Sequence, residues 1–232
     1  MVPNPGNPNN GLYKTLSAPA YSISETSRLT GIKKWSVSRW LRGYKYHGGE
    51  LDPVIRREIP PESTYASFLD LIDLLFVRKF IESGFSLQHI RKALDEARIH
   101  LGAYHFARSK FFTSSKEMIL ELPEGNMVAL LKGGQRAMSE VIENVYDKVD
   151  FEEVTEFGFV RRWYPRGREG YIVIDPQISF GRPTIQGSGI ATENVLDLYL
   201  GENEKIGPVE SWFKIPRHHI QAAIRFETSL VA

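Results

Sequence analysis

The stretch SISETSRLTGIKKWSVSRWLRGY, from Ser22 to Tyr44, constrains the fold more than any other part of the chain. Gly31 interrupts two helix-compatible runs, and the left-handed backbone that ends a helix is least costly where no Cβ is present. Ser24 is expected to cap a first helix over Glu25 to Thr30, its hydroxyl accepting from a free backbone N–H of the first turn. A second helix is predicted to start at Lys33 or Lys34 and to end before Gly43. Two short helices joined by a glycine turn outline a helix-turn-helix. Ser27 is small where the helices would touch, and Val37, Trp40 and Leu41 fall at helical spacing to face Leu29 and Ile32. Trp35, Ser36, Ser38, Arg39 and Arg42 then point away from the core.

Charge singles out the same segment. The formal net charge of the 232-residue chain is only +1, yet Lys33, Lys34, Arg39, Arg42 and Lys45 stand between Gly31 and Gly49 with no acidic residue among them. Up to residue 113 the chain has 16 Lys and Arg against 10 Asp and Glu; beyond it, 13 against 18. Such an asymmetry is a prior for nucleic-acid binding by the basic part. Hydrophobic content of 42% and charged content of 25% are ordinary for globular proteins, and the length suits more than one core. The absence of cysteine excludes disulfides, thiolate metal sites and cysteine nucleophiles, and suits a reducing cytoplasm. No apolar run is long enough for a membrane helix. The polar start MVPNPGNPNNG is not a signal peptide and is expected to belong to a disordered tail over residues 1–19.

Beyond the second helix, Gly48-Gly49 and Pro53 are expected to bracket a loop before a short strand, VIRREIP, over Val54 to Pro60. A strand there would serve as a wing, with Arg56 and Arg57 as phosphate contacts. FLDLIDLLFVRKFIES, Phe68 to Ser83, places Phe68, Leu71, Ile72, Leu75, Phe76 and Phe80 on one broad helical face. After Gly84, Ser86 caps a further helix, LQHIRKALDEARIHL, with Leu87, Ile90 and Leu94 inward and His89 and His100 on its surface. These parts together, from YSISETSRLTGIKKWSVSRWLRGY to GFSLQHIRKAL, resemble the MerR-type winged helix-turn-helix over about residues 20 to 100. The chain lacks the cysteines of that group's metal-sensing members and their long dimerisation coiled coil, so metal or redox sensing is not expected.

Residues 104–169 are expected to form a small sheet and a helix: strands at Met118 to Leu122 and Met127 to Leu131 around PEGN, a helix from Gln135 to Lys148, and a strand in FGFVRRWYP. Residues 170–232 begin with YIVI, the turn Asp175-Pro176 and the hairpin-like GRPTIQGSG. A Thr192-capped helix and two short helices, Pro208 to Phe213 and Pro216 to Phe226, follow around a turn at Lys214-Ile215. This three-helix pattern is helix-turn-helix-like. Asp175, Pro176, Gly181, Arg182, Pro183, Gly187, Ser188, Gly189 and Ile190 resemble a small domain of unknown function linked to antitoxins. The order of parts, through RRWYPRGR, resembles VapB-type antitoxins, whose partner is a PIN-domain ribonuclease.

The expected fold is thus mainly α with small β elements: a MerR-like winged helix-turn-helix over residues 20–103, a middle region, and a C-terminal three-helix bundle. The resemblance implies an antitoxin that binds double-stranded operator DNA, represses its own operon and neutralises a toxin. Lys33, Lys34, Trp35, Ser36, Ser38, Arg39, Arg42, Tyr44, Lys45, Arg56 and Arg57 are the expected DNA-facing residues. Arg39 and Ser36 or Ser38 are expected to reach base edges, arginine to guanine being the commonest specific pairing, and Lys33, Lys34, Arg42, Tyr44, Lys45, Arg56 and Arg57 mainly to hold phosphates. One module has a small footprint, so a homodimer on two half-sites is expected. Arg166, Arg168 or Arg182 could enter an acidic toxin pocket. No catalytic group, metal site or cofactor is expected: His218-His219 diverge on a helix, Asp175 reads as a turn former, and GGQ and GSG lack the context of a phosphate loop. The alternatives are a ligand-responsive MerR-like regulator without a toxin partner, with its pocket in residues 104–232, and a protein-interaction module that has lost DNA affinity.

Overall fold

The computed structural model of the protein describes residues 11–101, 107, 143–151 and 159–231. It is mainly helical with short antiparallel strand pairs, and it divides into two compact units, Met1–Val160 and Arg161–Ala232.

The N-terminal unit is built around a helix of unusual sequence. FLDLIDLLFVRKFIE, helix α4 (Phe68–Glu82), buries Phe68, Leu69, Leu71, Ile72, Leu74, Phe76, Val77 and Phe80, along with Asp70 and Asp73. A helix apolar on nearly every side belongs inside the protein, with other elements around it. Here α1 (Gly11–Ser17), α2 (Ile23–Thr30), α3 (Lys34–Arg42) and α5 (Leu87–Leu101) pack on α4. Leu75, expected inside, is only half-buried. The two buried aspartates have assigned work. Asp70 completes a capping box with Ser67 at the start of α4, and an Asp73 oxygen accepts from the Ala107 N–H at 3.2 Å.

Helix α1 corrects the expectation of a tail reaching residue 19: Tyr13 and Leu16 are buried, so the ordered chain includes this helix, while residues 1–10 lie outside the described residues. The next strand, β1 (Tyr21–Ser22), pairs antiparallel with β4 (Tyr65–Ala66). That pairing moves the start of α2. Ser22, not Ser24, is the cap, accepting from the Glu25 N–H at 3.1 Å, and Ser24 is exposed within the helix. Gly31 ends α2 at φ 66°. Arg78, projecting from α4, donates to the Thr30 carbonyl, placing a cation where the α2 carbonyls are left open.

The expected wing is displaced. Val54 to Pro60 is irregular rather than a strand, with Val54, Ile55 and Ile59 buried and the Val54 and Ile55 N–H groups both donating to the Trp40 carbonyl. The hairpin lies earlier, as β2 (Tyr44–Tyr46) and β3 (Gly49–Leu51), with Tyr44 opposite Leu51 and Lys45 opposite Glu50. The two residues between them, His47 and Gly48, meet the loop length that favours a tight hairpin turn. Gly43 makes the join possible: its φ is 70°, and a Cβ there would stand 2.4 Å from the Leu51 carbonyl oxygen.

Strand β5 (Val149–Phe151) follows a short helical turn at residues 143–146 that buries Val145. The expected strands at Met118 to Leu122 and Met127 to Leu131, and most of the Gln135 to Lys148 helix, lie outside the described residues.

In the C-terminal unit, Trp163 of β6 (Val160–Trp163) exchanges backbone hydrogen bonds with Ile174. Strand β7 (Ile172–Val173) pairs antiparallel with β8 (Thr184–Ile185). Helices α6 (Thr192–Gly201), α7 (Ile206–Phe213) and α8 (Arg217–Val231) complete the unit. Its core holds Trp163, Ile172, Ile174, Ile185, Val195, Val209, Ile220, Ala223 and Phe226. Thr192 is the first residue of α6 rather than its side-chain cap; its hydroxyl instead lies 3.2 Å from the Pro183 carbonyl and against the Glu227 carboxylate. Helix α7 starts two residues before Pro208, and α8 continues five residues past Phe226. Asp175 is more than a turn former. Buried, it accepts from Arg162 Nε at 2.8 Å and from the Gln177 N–H at 2.9 Å, and this hydrogen bond raises the Arg162 pKa.

Candidate nucleic-acid interface

Helix α3 turns Val37 and Leu41 inward and leaves Lys34, Trp35 and Arg42 exposed, with Lys33 exposed just before it. Ser38 and Arg39 are half-exposed on the same outer side, whereas Trp40 is half-buried with the core residues as its neighbours in phase. Trp35 keeps 58% of its surface accessible, a large apolar exposure for a tryptophan.

Arg39 links this face to the hairpin. Its guanidinium lies 3.5 Å from the Tyr44 ring centroid and 5.5 Å from that of Trp35. Stacking on aromatic faces holds a guanidinium by its plane and leaves its N–H groups directed outward along the edge. Among the described residues, no carboxylate pairs with Arg39, Lys33, Lys34 or Arg42. Arg42 Nε donates to the Pro61 carbonyl at 3.1 Å, which fixes the base of its side chain while the residue stays exposed. On the hairpin, Lys45 is exposed and 3.8 Å from Glu50, a loose surface pair worth little to stability. Tyr46, next to the hairpin turn, is also exposed and was not among the expected DNA-facing residues; its only sequence signal was alternation with Tyr44.

Two of the expected residues leave the set. Ser36 is buried: it stands next to Val37 and one turn before Trp40, on the inward side of α3. Arg57 is buried to 3% side-chain exposure against a fully buried Asp70, 3.5 Å away. Its guanidinium also donates to the carbonyls of Tyr65, Pro60 and Ser63 at 2.7, 3.3 and 3.2 Å. Burial pulls its pKa below the ordinary value, opposed by Asp70. An arginine used in this way closes the 57–70 loop and has no reach to a phosphate. Arg56 stays exposed, 3.1 Å from Asp95.

The arginines considered for partner contact all lie in the C-terminal unit and are exposed. Arg166 donates to the Ser229 hydroxyl, Arg168 lies 4.9 Å from the Tyr164 ring centroid, and Arg182 Nε is 3.4 Å from the Ser179 carbonyl. Phe180, beside Arg182, was overlooked. It is 91% exposed, and both it and Ser179 adopt left-handed backbone angles, with φ 58° and 49°. Side chains avoid that region unless the fold imposes it. Among the described residues, no three His, Cys, Asp or Glu side chains are grouped to hold a metal ion, and no helix is long and apolar enough to cross a membrane.

The family model "Protein of unknown function (DUF433)" matches residues 172–226, which are most of the C-terminal unit. Over 77% of this chain and 81% of the relative, the sequence is 22% identical to "Putative antitoxin VapB45" of Mycobacterium tuberculosis. It is also 22% identical to "Uncharacterized protein Rv2308" of the same organism, over 82% of each chain. The crystal structure of Rv2018 from M. tuberculosis has a similar fold, with a TM-score of 0.66 at 18% identity, over 89% of this chain and 97% of that one. By these likenesses the chain resembles a VapB-type antitoxin over most of its length, and the DUF433 match covers most of its C-terminal unit.

Proposed function

We propose that this protein is the DNA-binding antitoxin of a type II toxin-antitoxin system: a non-enzymatic cytoplasmic protein that represses its own operon and neutralises a PIN-domain ribonuclease. In this reading α2, the Gly31 turn and α3 form a MerR-like winged helix-turn-helix, with the β2–β3 hairpin as its wing. Helix α3 enters the major groove; Arg39 and Ser38 reach base edges, while Lys33, Lys34, Trp35, Arg42, Tyr44, Lys45 and Arg56 contact the backbone. The observation that carries the DNA reading is the stack of Arg39 on the Tyr44 ring, 3.5 Å from its centroid, with the Trp35 ring 5.5 Å away, which orients the edge of a guanidinium with no carboxylate partner among the described residues before any DNA arrives. An arginine oriented in advance loses less conformational freedom on pairing with guanine. The toxin reading is supported by the likeness to VapB45 and by exposed Arg166, Arg168 and Arg182. Homodimerisation supplies the second half-site.

The test is salt-dependent binding to DNA upstream of the protein's own gene. Arg39→Ala should abolish preference for that DNA over random duplex while leaving the thermal melt in place; wild-type protein that shows no such preference would remove the operator claim. For the antitoxin claim, co-expression should relieve growth arrest caused by the product of the neighbouring gene, and a neighbour with no effect on growth counts against it.

A second reading, a regulator that answers a small ligand, draws on a cleft of about 310 Å³ lined by Asp52, Pro53, Val54, Arg56, Arg91, Leu94 and Asp95. It lies in the N-terminal unit rather than in residues 104–232. Ligand-dependent release from DNA would distinguish this reading.

A further inference from the structure

We propose that α8 is a second DNA-reading helix, so that the C-terminal unit binds duplex DNA independently of α3. The inference begins with the phase of RHHIQAAIRFETSLV. Ile220, Ala222, Ala223, Phe226 and Glu227 are buried, which leaves Arg217, Gln221, Arg225 and Thr228 along the opposite side at intervals of four, four and three residues. Arg217, Arg225 and Thr228 are exposed and Gln221 is half-exposed. The one carboxylate in α8, Glu227, is on the buried side against Thr192, so the outer face carries no negative charge.

The approach to α8 has the form of a reading pair. Helix α7 ends at Phe213; Lys214 turns the chain at φ 54° with its N–H donating to the Glu210 carbonyl at 2.9 Å, and α8 begins at Arg217 after Ile215 and Pro216. Two packed helices joined by a three-residue turn are a helix-turn-helix, whose second helix presents its N-terminal residues to base edges. Lys214, Arg217 and His218, all exposed, fall at that end. Arg217 and Arg225 have no ion pair among the described residues. Eight residues of helix span about 12 Å, close to the width of the major groove. Arginine and glutamine are the side chains that pair in two-point fashion with guanine and adenine.

The charge balance supports an acidic partner for this face. Residues 161–232 hold 9 Lys and Arg against 8 Asp and Glu, whereas residues 114–160 hold 4 against 10, so the negative excess of the second half of the chain lies before this unit. Within the unit, the exposed acids are Glu169, in the turn before β7, and Glu193, Asp197 and Glu204, on α6 and the turn after it; none is on α8. Duplex DNA fits the α8 face better than an acidic protein does, because the charges alternate with base-reading polar groups on a helix that follows a tight turn.

The test uses the full-length protein, duplexes selected from a random-sequence pool, and hydroxyl-radical footprinting. Wild type should protect two separate segments. The double variant Arg217→Ala/Arg225→Ala, with an unchanged circular-dichroism melt, should lose one of them, and its salt slope should fall by about 2, near 0.9 per lost phosphate contact. Gln221→Ala leaves the charge intact and should keep the slope while relaxing base preference in that segment. An unchanged footprint and slope in the double variant would overturn the proposal. So would loss of a protein partner in that variant with unaltered DNA binding, since α8 would then be a surface for an acidic protein. Arg39→Ala separates the two DNA claims: its failure to alter binding, while the α8 variant does, removes α3 and leaves α8.

Discussion

Arg39 and Arg57 both stand in a basic stretch of sequence, but one guanidinium rests on the faces of Tyr44 and Trp35 while the other is enclosed with Asp70. Arg57→Ala would leave a fully buried carboxylate without its cation and take a donor from the carbonyls of Tyr65, Ser63 and Pro60, the last of which keeps the Ser63 N–H. Breaking a buried pair from one side costs about 3 to 5 kcal/mol, and chemical unfolding should show a loss in this range. DNA affinity, corrected for the folded fraction, should not change. Arg39→Ala should act in the opposite way, with stability altered little and base discrimination weakened by about 1 to 3 kcal/mol in competition binding. The charge pattern alone placed both arginines on the DNA side. What separates them is Asp70, thirteen positions away and itself held in the first turn of α4, a neighbour that only folding supplies.

At the level of elements, α2, α3, α4 and α5 were legible because each combines a helical apolar period with an end signal: Gly31, Gly43, Gly84 or Ser86; the Ser67 cap of α4 came only with the structure. The hairpin was not. VIRREIP looked like a strand because its apolar residues alternate, but Val54, Ile55 and Ile59 are buried without strand pairing, and the first two donate to the Trp40 carbonyl of α3. YKYHGGEL was concealed by its polarity, since a hairpin solvated on both sides has no apolar face to reveal it. Its placement depends on Gly43. In Gly43→Ala, the Cβ would meet the Leu51 carbonyl at 2.4 Å and the residue would be held at a left-handed φ. The expected result is a cost of about 1 to 3 kcal/mol, shared between lower stability and a displaced hairpin. Amide exchange should accelerate at Tyr44, Tyr46 and Leu51, whose N–H groups point across the hairpin by its register, while α4 stays protected. Removing the cap with Ser67→Ala should cost about 1 kcal/mol in thermal or chemical unfolding, because the Asp70 N–H then has no partner.

Across the whole molecule, the charge split gains a different meaning once the units are known. The C-terminal unit is nearly balanced; Arg217 and Arg225 of α8 and Lys214 just before it are exposed, several of its acids lie around α6, and it is this outward basic face, not the net charge, that points to a second contact with DNA. The same unit has a pH dependence of its own. His219 lies 4.3 Å from the Tyr171 ring centroid and 4.4 Å from that of His218; burial, and then the charge of His218, lower its pKa. A histidine whose folded pKa lies below its unfolded value of about 6.5 contributes its full stability above 6.5 and loses it as the pH falls through the folded value. The urea midpoint of this unit, followed by amide signals of α6 and α8, should therefore decline from pH 8 to pH 5. In His219→Phe, that decline should flatten.

The sequence by itself determined the presence of helices α2 to α8, the turn at Gly31 and the basic outer face of α3, because these depend on spacing over a few residues and on local backbone freedom; α1 and the caps of α2 and α6 it did not determine. The tertiary structure decided which arginines are spent inside the fold, where the hairpin sits, that Asp175 is a buried anchor for Arg162, and that α8 has a second basic face. Each of these depends on groups that are distant in sequence or on the burial of one helix side, and the free energy of burying a charge is set by the surroundings that the completed fold provides.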